Sequence, residues 1–266
     1  MSILSWLFRR KKRSPPIDDG TVSPLVARVM NEIEARAQPC IRMTPGGDGR
    51  SRLGGVPDMA GAWPRYKGNA LCSVAQLNLV ELRAAGGPDW LPDAGRLLFF
   101  YDLEEWSWGL DPQDAGSFVV LHEVEPAAAA VEPDDLSEEA KFPAYPVTFA
   151  PHASYPSIER IELDWRRLNT ASEAALWAAL KPLTALSPTH QIGGFPTPVQ
   201  DDCMELQCQG LVPGGQLEDW RLLLQLDTDD DAGMMWGDVG SLYFWVREQD
   251  ARAGDFSKVW MILQCH

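Results

Sequence analysis

Three groups of side chains in this sequence have the residue types and spacing for chemistry. The first is Asp227-Thr228-Asp229-Asp230-Asp231, where Asp227, Asp229 and Asp231 alternate and Asp238 stands at the twelfth place, as in a calcium-binding loop. The sixth place is Ala232 where such a loop needs glycine, the twelfth is Asp rather than Glu, and both flanks read as strands. The three carboxylates are therefore weak metal candidates, and a solvated acidic turn is the simpler reading. The second group is His190 with Asp201, Asp202 and Cys203, from which a Cys–His–Asp nucleophilic site could be built. No nucleophile elbow or papain-type context surrounds them, so no catalytic residue is assigned and His190 reads as a turn pin or partner contact. The third group sets Trp63, Trp106, Trp108 and Trp236 near turns that also carry Asp102, Asp111 and Asp238. Ring faces beside carboxylates would suit a cationic or amphipathic partner. Closure of the open ends of a sheet is the competing role for these rings. Gly46-Gly47-Asp48-Gly49 lacks the Lys and the strand-to-helix setting of a phosphate loop, and no cofactor is called for.

Charge narrows the partner. The 266 residues carry a formal charge of −15, but residues 1–16 hold five basic side chains (Arg9, Arg10, Lys11, Lys12, Arg13) and no acid. The remainder has 18 basic against 38 acidic residues. Such a body repels nucleic-acid backbones and points to a protein or peptide partner. Residues 1–16, with Trp6, Leu7 and Phe8 before the basic run, could touch an anionic membrane surface, although a basic flexible tail is the simpler expectation. Five cysteines without a CxxC pair fit reduced thiols in the cytoplasm. Eleven Trp are the compositional oddity.

The elements that must position these groups follow from periodicity. Residues 1–20 are expected to be tail and linker, and 21–266 a single domain. Ser23 and Pro24 open a helix whose stripe is Val26, Val29, Met30 and Ile33. Strand-like runs follow at 70–79, 96–101 and 117–122, after a Gly- and Pro-rich loop region at 44–70. Residues 123–146 read as an exposed, partly disordered excursion. A capping box at Thr170 and Glu173 starts a second helix with Leu176, Trp177 and Leu180 inward and Pro182 after its last turn. Strand-like runs return at 220–226, 241–246 and 259–264. Helices lie between groups of strands, which predicts an α+β fold of mainly antiparallel sheet with a few flanking helices.

The two groups of strands share an order of motifs. Gly54-Gly55-Val56-Pro57 is matched by Gly193-Gly194-Phe195-Pro196, and Ala75-Gln76-Leu77-Asn78 by Leu224-Gln225-Leu226-Asp227. Asp93-Ala94-Gly95 before Leu97 and Phe99 is matched by Asp238-Val239-Gly240 before Leu242 and Phe244. An internal duplication with halves at about 44–122 and 190–265, forming two similar sheets, is the expectation. Gln76 and Gln225, carboxamides inside apolar strands, are expected to bridge backbone groups of neighbouring loops.

These motifs, with Trp63-Pro64, His190-Gln191-Ile192-Gly193-Gly194, Trp236-Gly237-Asp238 and the run Phe256 to Cys265, resemble the YwqG-like family, a bacterial domain of unknown function. The resemblance implies a duplicated α+β fold and no established activity. A non-catalytic binding protein, in an immunity or antitoxin-like role, is the leading expectation. A hydrolase with its site between the halves, or a peripheral membrane protein, are the alternatives.

Overall fold

The computed structural model describes residues 22–184 and 188–266. The expected tail and linker at 1–20 lie outside the described residues. The first helix, α1 (Pro24–Ala35), starts as its sequence requires: Ser23 Oγ accepts from Leu25 N, and Val26, Val29 and Ile33 are buried.

Among the described residues, twelve strands follow from apolar runs and glycine turns: β1 (Gln38–Pro45), β2 (Arg52–Leu53), β3 (Arg65–Tyr66), β4 (Asn69–Ala70), β5 (Cys72–Asn78), β6 (Arg96–Tyr101), β7 (Phe118–Glu123), β8 (Tyr145–Ser154), β9 (Gln191–Ile192), β10 (Trp220–Asp227), β11 (Ser241–Arg247) and β12 (Trp260–Gln264). β3 and β4 form a separate ribbon. The other ten make one antiparallel sheet in the order β12-β11-β10-β9-β1-β8-β2-β5-β6-β7. This corrects the expectation of two sheets. The long β1–β8 ladder, Gln38↔Ser154 to Pro45↔Val147, joins the two groups of strands into one surface.

The sheet curls until its outer strands face each other. Phe99 of β6 meets Phe244 of β11 edge to face at 5.2 Å, and Phe118 of β7 meets Trp260 of β12 at 5.1 Å. The result is a near-barrel with one continuous apolar core. β12 is an edge strand, and the loop after β6 covers it: Leu263 N donates to the Trp108 carbonyl (3.0 Å) and Trp260 Nε1 to that of Gly109 (2.8 Å). Gly109 lies at φ +73°, and a Cβ there would drive into the Met261 carbonyl. Only glycine permits this approach.

The remaining helices are α2 (Leu79–Ala84), α3 (Thr170–Thr184), α4 (Met204–Leu211) and α5 (Glu248–Arg252). α1 and α3 pack on each other around Val29, Ile33, Ile161 and Leu176, a small core separate from that of the sheet. Four local expectations change. Ser172 N is capped by Asn169 Oδ1 (2.8 Å), one residue before the expected Thr170, and Pro182 lies inside α3. Trp177 is half exposed rather than inward, because Leu176 and Leu180 already fill the face toward α1. The 123–146 excursion is not simply exposed: it contributes Leu136 and Ala140 to the main core, with Phe142 and Tyr145 packed against it. Among the described residues no helix is long and apolar enough to cross a membrane.

Candidate functional site

The residues singled out by type and spacing fall at several places. Trp236 is fully buried, its Nε1 donating to the Asp227 carbonyl (3.1 Å), and its ring packs edge to face on Tyr101 and Phe142. Trp106 also packs edge to face on Tyr101, at 6.4 Å, and is 37% exposed. Trp108 is 42% exposed, with its carbonyl spent on the β12 edge. Trp63 sits elsewhere, against Phe100 on the outer face of β6, with Nε1 donating to the Leu71 carbonyl (2.8 Å). Asp102 is buried and accepts from the amides of Glu104 and Glu105; burial pushes its carboxyl above the ordinary range. Asp111 accepts from Gln113 N at the head of a short 3-10 turn, and Asp238 is exposed on the β10–β11 turn. The structure thus gathers Trp106 and Trp236 about Tyr101 but does not bring Trp63 to them.

The acidic turn is committed to holding itself together. Asp227 accepts from Gln225 Nε2, Ser241 Oγ and Thr189 N. Burial still holds its carboxyl above the ordinary carboxylate range. Asp229 accepts from the amides of Asp231 and Ala232 through one oxygen and meets His190 Nε2 through the other (3.0 Å). His190 Nδ1 accepts from Asp227 N (3.2 Å), so the ring is a turn pin with its proton on Nε2. No group of three or more His, Cys, Asp or Glu able to hold a metal is found among the described residues.

Residue types and spacing did not reveal a cleft of about 900 Å³ on the outer face of β10 and β11. Its apolar lining includes Ile41, Trp220, Leu222 and Trp245, and its rim carries Leu206 of α4 and Leu217, both exposed. The turn after β9 forms one wall. Gly194, at φ +70°, lies so close to Ser154 that a Cβ there would strike its hydroxyl, which in turn accepts from Phe195 N (2.8 Å). The 86–90 segment after α2 also lines the cleft, with Pro88 close against Gly193.

Charge in the cleft is largely neutralised in place. Arg160 is held by Asp202 and by both oxygens of Glu205 (2.8 and 2.9 Å), and its guanidinium stacks over Phe195 at 5.3 Å. Burial opposes its charge, but these carboxylates outweigh burial and raise its pKa above the ordinary value. Arg221 pairs with Glu248, and Asp89 is met by Arg252.

Two thiols line the cleft. Burial is the largest cause raising the Cys203 pKa to about 12, joined by the hydrogen bond to Asp201 (2.9 Å) and the charges of Asp201, Glu159 and Asp202. Burial likewise raises Cys40, against the opposing influence of Arg42. Both are held as neutral thiols at neutral pH, the opposite of an activated nucleophile. His190, moreover, is engaged with Asp229 while Cys203 is engaged with Asp201, so the imagined Cys–His–Asp site is not assembled.

No spacing rule links residues 38–41, 86–90, 151–160, 193–195 and 202–222, which the sheet brings together here. The one local signal was the pair of leucines, Leu206 and Leu217, placed among acidic and polar residues with no apolar periodicity to bury them.

Residues 51–265 match the family model described as Domain of unknown function (DUF1963). No curated protein matches the chain.

Proposed function

The chain belongs to the DUF1963 family, a domain of unknown function, and from that premise we propose that it is a non-catalytic binding protein whose cleft takes a cationic, amphipathic segment of a partner protein. The observation that carries this reading is the cleft itself, with the exposed leucines Leu206 and Leu217 on its rim and an aromatic floor. Glu218 on the same rim adds a carboxylate to a body that is already acidic. Opposite charge steers such a partner in, and apolar burial holds it. The suppressed thiols weigh against a cysteine-dependent hydrolase at this site. Trp106 and Trp108, with Asp238, offer a second exposed aromatic and acidic contact on the same molecule. An immunity or antitoxin-like role in the cytoplasm, against a basic protein, is the concrete form of this reading.

The YwqG-like assignment and the internal duplication belong to the same proposal. Support for duplication comes from matched chemistry: Gln76 Oε1 accepts from Asp58 N (2.8 Å), one residue past Pro57, and Gln225 Oε1 accepts from Thr197 N (2.9 Å), one past Pro196. Strands β2, β5, β6 and β7 run outward from β8 as β9, β10, β11 and β12 run outward from β1.

Calorimetry with a decapeptide of alternating Lys and Leu, and with its Glu–Leu counterpart, tests the reading. The Lys peptide should bind, weaken with salt, and lose roughly tenfold in affinity on Leu206→Asp, the size expected for losing one buried leucine. Equal binding of both peptides, or no effect of Leu206→Asp, would refute the cleft as the site.

A further inference from the structure

We propose that the loops at 102–116 and 228–240 form a second docking surface, which takes an arginine-rich segment of a partner protein. The inference rests on the reading of this chain as a binding protein, but not on the cleft. Trp220, Leu222 and Trp245 line the cleft at one end of the β10–β11 hairpin, whereas 228–240 is the turn at its other end. From Leu222, the cleft residue furthest along β10, to Asp227 is about 16 Å of strand.

Contacts bring the two loops together. Tyr101 packs edge to face on both Trp106 and Trp236, at 6.4 and 6.1 Å. The Trp108 carbonyl accepts from Leu263 N and the Asp238 carbonyl from His266 N, so the two loops meet about 10 Å apart along residues 263–266. Both loops hold apolar side chains out of the core: Trp106, Trp108, Leu110, Met235 and Val239 are between 37% and 53% exposed. Trp106 and Val239 do so from left-handed backbone, at φ +51° and +50°, a conformation that is costly for any Cβ and most of all for a β-branched one.

Charge says what covers these side chains. Segments 102–116 and 228–240 hold nine acidic residues and no basic one. Asp102, Asp114 and Asp229 are spent on backbone amides, and Glu105 pairs with Lys67. Glu104, Asp111, Asp230, Asp231 and Asp238 are exposed and have no ion pair among the described residues. Arginine suits both features of the surface. Its planar, weakly hydrated guanidinium lies on an indole face while its N–H fork meets a carboxylate, and its aliphatic stem covers apolar neighbours.

Calorimetry of the full chain with a decapeptide of alternating Arg and Gly tests this, beside counterparts in which citrulline or Lys replaces Arg. The Arg peptide offers no apolar side chain for the cleft to bury. It should bind, weaken with salt, and lose at least about fivefold in affinity on Trp106→Ser/Trp108→Ser. The citrulline peptide, neutral but of the same shape, should not bind, and the Lys peptide should bind more weakly than the Arg peptide. Asp230→Asn/Asp238→Asn should weaken the Arg peptide more than Glu34→Gln/Glu173→Gln, which removes the same charge from α1 and α3. A urea midpoint held near wild type shows that the variants fold. Leu206→Asp should leave the Arg peptide unchanged while it weakens the Lys–Leu peptide, so failure here and failure of the cleft are read separately. Attraction by the acidic body as a whole would hold the Arg and Lys peptides equally and ignore the tryptophan variant; either result overturns the proposal. So does a dimer in sedimentation that the tryptophan variant dissociates, which would make this surface a contact between two copies.

Discussion

Cys203 gives the sharpest test of the electrostatics around the cleft. Its thiol is the one exposed cysteine among five, yet burial of its sulfur and the carboxylates of Asp201, Glu159 and Asp202 raise its pKa from the ordinary 9.0 to about 12. At pH 8 a thiol with that pKa is ionised in roughly one molecule in ten thousand, against roughly one in ten for an ordinary thiol, a deficit of about 1000-fold. A more basic thiolate is also a better nucleophile, and three units at a Brønsted slope of about 0.45 return a factor of about 20. The net expectation is labelling about 50-fold slower than free cysteine. The assay is the rate of reaction with a disulfide reagent at pH 8 on the native protein, where Cys40, Cys72, Cys208 and Cys265 are buried and react only on unfolding. Cys203→Ser should abolish the native phase. Asp201→Asn, which removes the charged acceptor at 2.9 Å, should quicken it by about tenfold. A Cys203 that labels as fast as free cysteine, or one indifferent to Asp201→Asn, refutes the reasoning and reopens the thiol as a nucleophile.

Two further outcomes follow from the fold. Gly109→Ala should destabilise by about 3–4 kcal/mol: about 1–2 for a side chain in the left-handed region, and about 1 for each hydrogen bond from Leu263 and Trp260 that the displaced loop gives up. Urea unfolding measures it, and a loss below about 1 kcal/mol would show that the loop does not seal the β12 edge. The buried carboxyl of Asp227, its pKa raised, binds its proton more readily in the folded than in the unfolded chain. Its contribution is therefore present at low pH and lost as pH rises from near the ordinary 3.8 through the raised value. Relative to Asp227→Asn, wild type should lose stability on going from acid to neutral pH; a difference that grows instead would overturn the assignment.

Much of the fold was legible along the chain because strands and caps are local. β6 begins and ends where alternation placed it, β5, β7, β10, β11 and β12 lie within two residues of their expected bounds, and Ser23 caps α1. β1 and β8 escaped notice because their exposed and prolyl positions break alternation; their ladder is held by partners more than a hundred residues away. Trp177 was expected inward because apolar character alone does not say which of two neighbouring faces α1 will cover. The same limit governs the sites. Sequence by itself determined the acidic charge, the thiol inventory, the glycine turns and the carboxamides that brace them. Only the tertiary structure decided that Asp227 and Asp229 of the acidic turn spend their carboxylates on nearby amides, side chains and His190, and that Glu159 joins Asp201 and Asp202 around the Cys203 thiol. It also decided that a cleft opens over β10 and β11 where five distant segments meet. Charge and turn geometry are properties of neighbours in the chain, whereas burial and concavity depend on what the curled sheet brings together.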